Sequence, residues 1–208
     1  KITEFFKAST FSVSTITLSE NGIYAAIMPE AEIWFIDFEG KAKKIAKMDE
    51  RYIWRIKYYR ELLYVSCGSS AVLYSIDKNG VKKQLYKNTG DNHFQAMTIS
   101  KNKIYFGSEG KGALYEYSIT EGKVKVLYEA YESEITDIAV SKSGAVYFIT
   151  GTVKKIKLPQ SNFDYTDTFV RQLQGIQRFS AETPYLKNSL YVYQSDGKVK
   201  KLFTKDNF

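Results

Sequence analysis

The chain has 208 residues, of which 44% are hydrophobic and 25% charged, and this size and balance suit one globular domain. Aromatic residues make up 15% of the sequence while proline occurs only three times, which favours β-strands and excludes a disordered chain. One cysteine and one histidine exclude an internal disulfide and a metal site built from several histidines. No apolar run approaches the roughly 20 residues that a membrane-spanning helix needs.

An aliphatic residue followed by tyrosine recurs along the chain and sets the order of the predicted strands. The tyrosines of these pairs are Tyr24, Tyr64, Tyr105, Tyr147 and Tyr191, and their spacings are 40, 41, 42 and 44 residues. A period of about 42 residues is typical of a four-stranded blade of a β-propeller. No capped amphipathic run of ten or more residues occurs, which argues against repeats made of paired helices.

Each repeat is predicted to contain four short strands joined by turns rich in asparagine and glycine. The first strand precedes the aliphatic–tyrosine pair, the pair opens the second strand, and the third and fourth strands follow. In chain order, the predicted first strands cover 11–19, 52–58, 94–100 and 134–141. The predicted third strands cover 32–37, 72–77, 113–118 and 152–157, and the fourth strands cover 41–48, 81–87 and 123–129.

The two ends of the chain carry complementary parts of one further repeat. After Tyr191 there is no room for a fourth strand, and residues 198–204 resemble the predicted third strands. At the N-terminus, Phe5 lies 19 residues before Tyr24, which is the spacing of a fourth strand from the next tyrosine. We therefore predict an all-β, five-bladed β-propeller with four antiparallel strands per blade, in which the N-terminal strand closes the last blade.

The whole chain, residues 1–208, is then expected to be a single propeller domain. Its blades are expected at about residues 9–48, 49–88, 89–130 and 131–172, with the fifth made of 173–208 plus 1–7. The alternative is a fragment of a ring of six to eight blades, although an arbitrary cut would rarely leave such complementary ends.

Residues 92–130 read as an apolar strand, an aliphatic–tyrosine pair, small residues and glycine, a second such pair, a glycine turn and a basic strand. This pattern resembles the repeats of bacterial β-propellers of the WD40-like, NHL and gluconolactonase-like class, and it extends over essentially the whole chain. The resemblance implies a fold rather than an activity. The chain lacks the Trp-Asp pair that ends a WD40 blade, and it has no repeated Asp or Asn set of the kind that a sugar-lactonase metal site requires.

The connections between fourth and first strands and between second and third strands meet on one face of such a ring, and we place the candidate binding site there. Trp54, one of two tryptophans, lies between Arg51 and Arg55, and tryptophan and arginine dominate binding hot spots. The alternative for Trp54 is core packing, and for His93 it is a structural place in its loop. The predicted contacts are Arg51, Trp54, Asp91, His93, Glu109, Lys111 and Arg178. They are not repeated from blade to blade, which argues against a multivalent lectin.

The sequence carries only partial forms of three catalytic or nucleotide-binding patterns. The run 107–112 is rich in glycine but lacks the Gly-x-x-x-x-Gly-Lys-Ser/Thr spacing and joins two strands, so it is not interpreted as a phosphate-binding loop. No Gly-x-Ser-x-Gly turn supplies a nucleophile for His93. Glycoside cleavage needs two carboxylates roughly 5–10 Å apart, but the short loops disfavour a sugar cleft. Loop carboxylates occur at Glu30, Glu32, Asp91, Glu109, Glu132 and Glu134.

The formal net charge is +7, and much of the excess is lysine in the predicted third and fourth strands. A fourth strand is the outer edge of a blade, where lysine prevents edge-to-edge aggregation. We therefore interpret the basic rim as a solvated edge. Its alternative is a contact with an acidic polymer, such as nucleic acid, an anionic glycan or a membrane surface.

These features predict a monomeric, non-catalytic binding or interaction scaffold that uses one face of the propeller. Its expected partner is another protein or an extended polymer, and no catalytic residue, metal or cofactor is expected. The alternative is a carbohydrate-binding or glycoside-cleaving five-bladed propeller. The chain begins with lysine, so a cytoplasmic location and an extracytoplasmic one after signal removal are both open for this bacterial type of protein.

Overall fold

The computed structural model describes Lys7, residues 12–152 and residues 186–207, and the statements below concern these residues. They form 16 β-strands and no helix. The strands are β1 (Ser12–Ser19), β2 (Gly22–Met28), β3 (Glu32–Asp37), β4 (Ala42–Lys47), β5 (Tyr52–Tyr59), β6 (Leu62–Gly68), β7 (Ala71–Ile76), β8 (Lys82–Asn88), β9 (His93–Ser100), β10 (Lys103–Glu109), β11 (Ala113–Ser118), β12 (Lys123–Glu129), β13 (Glu134–Val140), β14 (Val146–Gly151), β15 (Leu186–Tyr193) and β16 (Val199–Asn207).

The strands follow one another as four antiparallel meanders of four strands each. Meander 1 contains β1–β4, meander 2 contains β5–β8, meander 3 contains β9–β12 and meander 4 contains β13–β16. Local turn chemistry fixes the connections: one oxygen of Asp37 accepts the backbone N–H groups of Glu39 at 3.0 Å and Lys41 at 2.8 Å. Asp77 repeats this turn one meander later. An aspartate that binds its own downstream backbone in this way stabilises a tight turn.

The four meanders are distributed over two open sheets. Meander 1 is a separate four-stranded sheet, whereas meanders 2, 3 and 4 join into a sheet of 12 strands. The joins are narrow, because Gly68 pairs with His93 and Glu109 pairs with Glu134, one residue pair at each boundary. Successive meanders are therefore linked mainly by the packing of their faces.

This arrangement contradicts the predicted five-bladed propeller. The described strands form four meanders rather than five, and neither of the two sheets closes on itself. The strands β15 and β16, expected in a fifth blade, pair with each other, and β15 pairs with β14 to complete meander 4. The N-terminal strand expected to close the ring, residues 1–7, lies outside the described residues apart from Lys7, and so does most of the third strand predicted at 152–157.

The fold prediction failed because Tyr191 was assigned to the wrong strand of its repeat. Tyr191 matches the second-strand tyrosines by spacing, but in the structure it belongs to a third strand. It pairs with Phe148 of β14 in the same way as Tyr115 pairs with Phe106 of β10. Because Leu-Tyr occurs at this place in the third strands of meanders 2, 3 and 4, the pair by itself does not distinguish a second strand from a third.

An apolar core lies in each gap between successive meanders. All three cores contain stacked rings, Tyr24 on Tyr58 with centroids 5.6 Å apart, Phe106 on Tyr115 at 5.0 Å and Phe148 on Tyr191 at 5.2 Å. Burial of such aromatic and aliphatic side chains is the main force that holds the meanders face to face. The buried residues include Ala26 and Ile53 in the first gap, Leu73 and Phe106 in the second, and Leu114 and Phe148 in the third.

A hydrogen bond between a tyrosine and an acid recurs in three meanders and ties the loop before the first strand to the third strand. The hydroxyl of Tyr115 donates to Asp91 at 2.8 Å, and that of Tyr191 donates to Glu132 at 3.0 Å. Tyr74 makes the same bond to Glu50 at 2.8 Å. The partners are 24 residues apart in meanders 2 and 3 but 59 apart in meander 4, so the chain between β14 and β15 is longer than the corresponding connections in meanders 2 and 3.

The lysine-rich strands β4, β8 and β12 are sheet edges, as predicted, because within the described part of the chain each pairs with one neighbour only. The strand β16 is also an edge, and here the prediction was wrong, because residues 198–204 were expected to form a third strand. The exposed lysines of these four strands include Lys43, Lys83, Lys125 and Lys200. In residues 12–152 and 186–207 there is no helix that could cross a membrane.

Candidate binding site

First strands begin and second strands end at the same end of the meanders. Tyr52, His93 and Glu134 are the first residues of β5, β9 and β13, so they occupy equivalent places in meanders 2, 3 and 4. Glu109, the last residue of β10, pairs with both His93 and Glu134. We call this region the aromatic end and define it by Tyr52, Trp54, His93, Glu109 and Glu134.

His93 is held by both of its ring nitrogens. The indole N–H of Trp54 donates to Nδ1 at 3.2 Å, and Nε2 lies 3.3 Å from a carboxylate oxygen of Glu109. An indole nitrogen can only donate a hydrogen bond, so Nδ1 is the acceptor in the bond from Trp54. These two contacts fix the orientation of the imidazole, and neither nitrogen is free to bind a further group.

The bond from Trp54 to His93 is one step of a series that links successive meanders. Gln95, two residues after His93, donates to Glu134 of the next meander at 2.9 Å. Ser14 donates to the Ile53 carbonyl at 3.0 Å. Each of these bonds spans 39 residues, so each runs from one meander to the next at the same place in the repeat. Side chains at this end therefore link successive meanders, although part of their surface is exposed.

Gly68 makes room for the imidazole of His93. A Cβ atom at this position would lie 1.7 Å from Nδ1 and 2.8 Å from two ring carbons, which is far inside van der Waals contact. Glycine is therefore the only residue that allows the ring to sit against this strand end. The sequence does not reveal this requirement, because it depends on the register between meanders 2 and 3.

Three rings form the centre of the aromatic end. Tyr52 lies 5.8 Å from Trp54 and 5.7 Å from His93 between ring centroids, and Trp54 and His93 are 5.3 Å apart, edge to face. The guanidinium of Arg51 lies over the Tyr52 ring at 5.3 Å. The rings are half-buried and Arg51 is exposed, so a large part of this cluster is accessible to a partner.

Of the seven predicted contact residues, the structure brings four together: Arg51, Trp54, His93 and Glu109. Asp91 is instead buried, where it accepts the backbone N–H of Lys111 at 3.1 Å as well as the Tyr115 hydroxyl. Burial and the bond to Asp91 raise the pKa of Tyr115. The Lys111 side chain is exposed, and Arg178 lies outside the described residues.

Four residues of this end were not among the predicted contacts. Tyr52 and Gln95 could have been found from the repeat, because they occupy the same places as His93 and Trp54 in neighbouring meanders. Glu134 was recognised only as a loop carboxylate. Tyr131 is 89% exposed and lies in the connection from β12 to β13, at the same end of the strands.

The described part of the chain contains no group of His, Cys, Asp and Glu side chains that could hold a metal ion. Cys67 is buried in β6, and desolvation, followed by the nearby Glu50 charge, raises the pKa of its thiol well above the usual range. A thiol in this environment is a poor nucleophile.

Neither a protein-family model nor a curated protein sequence matches this chain. Many solved structures are similar in fold, and three of them follow. The computationally designed Ika4 protein is 14% identical with a TM-score of 0.53 over 71% of this chain and 92% of that one. The extracellular domain of the putative one-component system BT4673 from B. thetaiotaomicron is 13% identical, with a TM-score of 0.62 over 94% of this chain and 23% of that one. The tricorn protease is 13% identical, with a TM-score of 0.57 over 94% and 18%. At these identities the comparisons show an antiparallel all-β fold and nothing about activity.

Proposed function

We propose that this chain is a non-catalytic binding scaffold that contacts a protein partner through its aromatic end. The observation that carries the proposal is the cluster of Tyr52, Trp54 and His93 with Arg51 at its rim. Aromatic residues and arginine in a fixed, partly desolvated setting are the composition of binding hot spots. The hydrogen bond from Trp54 and the contact of Nε2 with Glu109 hold His93 in place before a partner arrives, which lowers the entropic cost of binding.

The polar side chains of the aromatic end already contact one another, and this favours binding over catalysis. Both nitrogens of His93 are occupied, and the carboxylates of Glu109 and Glu134 face the imidazole of His93 and the amide of Gln95. A general base needs a free acceptor within reach of the proton that it removes. The arrangement suits a surface that keeps one shape.

We further infer that the four meanders are copies of one repeat unit of the class that the sequence resembles. The equal spacing of the bonds between meanders and the recurring bond from tyrosine to acid support this inference. In this interpretation the side chains at the aromatic end have diverged from meander to meander. The surface is then specific to one partner rather than multivalent.

Trp54→Ala tests the proposed site. The intact chain is immobilised, partners are captured from the source organism, and affinities are then measured with the purified partner. We expect Trp54→Ala to weaken binding by about 30-fold or more, which corresponds to a hot-spot loss of about 2 kcal/mol. Phe38→Ala is the matched control, because Phe38 is 59% exposed in the β3–β4 turn at the opposite end. Unchanged binding by Trp54→Ala, or equal loss with Phe38→Ala, contradicts the proposal.

A carbohydrate partner is the second candidate, because the rings of Tyr52 and Trp54 pack against His93, which contacts the carboxylate of Glu109. Rings can stack on the apolar faces of sugars, and carboxylates can accept hydrogen bonds from sugar hydroxyls. A glycan array probed with the wild-type chain and with Trp54→Ala separates the two candidates. Glycan binding that depends on Trp54 favours this candidate, and release of shortened glycans would make it an enzyme.

A further inference from the structure

A cavity of about 360 Å³ lies between meanders 3 and 4, at the end of the molecule opposite the aromatic end. Its position follows from its lining, which includes the β9–β10 turn at Lys101 and the β13–β14 turn at Gly144. The volume is in the range of sites for small ligands. None of the residues predicted from sequence to form a site belongs to this cavity.

The repeat explains why a cavity is present in this gap. In the equivalent gap between meanders 2 and 3, Tyr59, Leu62 and Ile119 pack against the apolar core. The strand registers place Ser100, Lys103 and Ser195 at the corresponding positions one meander later. Two small hydroxyl residues and one lysine thus replace three large apolar side chains. The space that the apolar residues fill in one gap is left open in the other.

The cavity carries a net positive charge. Lys101, Lys103 and Lys125 line it, and Glu116 is its only acidic residue among those described. The amine of Lys103 lies 3.0 Å from both carboxylate oxygens of Glu116, which neutralises that pair. Burial, together with the Glu116 carboxylate, raises the pKa of Tyr105 to about 12, so its hydroxyl stays protonated beside Glu116. Lys101 and Lys125 form no ion pair within the described part of the chain, and they leave two uncompensated charges.

The remaining walls are apolar. Leu127, Val140 and Val146 line the cavity together with the aromatic ring of Tyr193. A pocket with apolar walls and a few convergent charged groups selects a ligand that has an apolar body and a group of opposite charge. Lys101 and Lys125 are exposed, so their ammonium groups can contact an anion while they keep part of their hydration.

We propose that this cavity binds a small organic anion that carries a carboxylate or a phosphate. The charged group faces Lys101 and Lys125, and the apolar part packs against Leu127, Val140 and Val146. This site is independent of the aromatic end, so a ligand here can be bound while a partner occupies the other end.

Phenyl phosphate, benzoate and benzyl alcohol are suitable probes, because they share a ring and differ in charge. The intact chain is titrated with each probe while the methyl signals of Leu127, Val140 and Val146 are followed by NMR. We expect saturable shifts with both anions and binding of benzyl alcohol that is weaker by at least about fivefold, the effect of one unit charge at contact distance. Tighter binding of phenyl phosphate than of benzoate assigns the site to phosphorylated ligands, and the reverse order assigns it to carboxylates.

Three variants test the location. Lys125→Gln should weaken phenyl phosphate binding about fivefold. Lys83→Gln is the matched control, because Lys83 has the same place in meander 2, and we expect it to leave binding unchanged. Ser100→Tyr introduces the side chain that fills the equivalent gap, and we expect it to abolish binding. Equal binding of benzyl alcohol and phenyl phosphate, equal effects of the two glutamine variants, or cavity methyl signals that do not move would each overturn the proposal.

Discussion

Gly68→Ala is the sharpest test of how the aromatic end is built. The added methyl group would lie 1.7 Å from Nδ1 of His93, where ordinary contact begins at 3.4 Å. The three atoms nearest to it all belong to the imidazole, so the ring must move or the strand end must shift. Gly68 does not have a positive φ, and alanine is therefore not strained by the backbone itself.

The loss of stability caused by Gly68→Ala can be estimated from the movement that it forces on the His93 ring. A ring that retreats to ordinary contact cannot keep the 3.2 Å hydrogen bond from Trp54, and the strand end is overpacked if the ring stays. Overpacking costs about 1–3 kcal/mol, and a lost hydrogen bond about 0.5–1.5 kcal/mol. We expect the free energy of unfolding to fall by about 2–4 kcal/mol, or somewhat less if the ring swings into solvent.

The assay uses the fact that the chain has only two tryptophans. Their two indole N–H signals are resolved by ¹H–¹⁵N NMR, and we expect Gly68→Ala to shift that of Trp54 and to leave that of Trp34 in place. Urea denaturation gives the free energy of unfolding. Gly90→Ala is the matched control, because its methyl group would meet only the flexible end of Lys111 at 2.9 Å and the Asn88 side chain at 3.4 Å.

A double-mutant cycle decides whether His93 is the cause. In a His93→Ala background the three clashing atoms are gone, so Gly68→Ala should cost less than about 1 kcal/mol. Additive losses would refute the reasoning, as would a Trp54 signal that does not move in Gly68→Ala.

Three further outcomes are expected. Tyr115→Phe should lower the free energy of unfolding by about 2 kcal/mol in urea denaturation, because buried Asp91 loses a hydrogen bond, whereas Tyr74→Phe should cost less because its acid is only half-buried. Burial opposes the charge of Glu132, but its hydrogen bonds outweigh burial and lower the pKa of the carboxyl group. The ionised carboxylate therefore stabilises the fold fully above the pKa of the unfolded chain, and this stabilisation is lost as the pH falls through the pKa of the folded chain. Glu132→Gln should remove this pH dependence from the free energy of unfolding in the acid range. Buried Cys67 should not react with a thiol reagent until the chain unfolds, and fast reaction of the folded chain would contradict its placement.

The strands were predictable because they depend on local alternation and turn chemistry. The first strand predicted at 52–58 is observed as Tyr52–Tyr59, and the third strand predicted at 113–118 is observed as Ala113–Ser118. The number of sheets was not predictable from spacing alone. Tyr191 lies at a distance that suits a second strand, but it pairs with Phe148 of β14, and only this pairing shows that Tyr191 belongs to the third strand of meander 4.

The candidate site was predicted in part for the same reason. Strand counting placed Trp54, His93 and Glu109 at one end of the molecule, and in the structure their side chains are in contact, while their role in binding stays a prediction. Strand counting gave no reason to expect Asp91 to be buried while Trp54, His93 and Glu109 are not. The buried position of Asp91 involves a hydrogen bond from Tyr115, which is 24 residues away in another strand. The role of Gly68 also depends on a contact across a boundary between meanders.

The sequence by itself determined the all-β class, most strand bounds and the lysine-rich edges, because these are properties of neighbouring residues and of period-two patterns. Tertiary structure decided which strands share a sheet, which acids are buried, and where one gap between meanders is filled while the next is open. These outcomes depend on register and packing between residues that are tens of positions apart. Tyr59 and Ser100, for example, occupy equivalent positions in meanders 2 and 3, and only this equivalence shows that a large side chain is replaced by a small one.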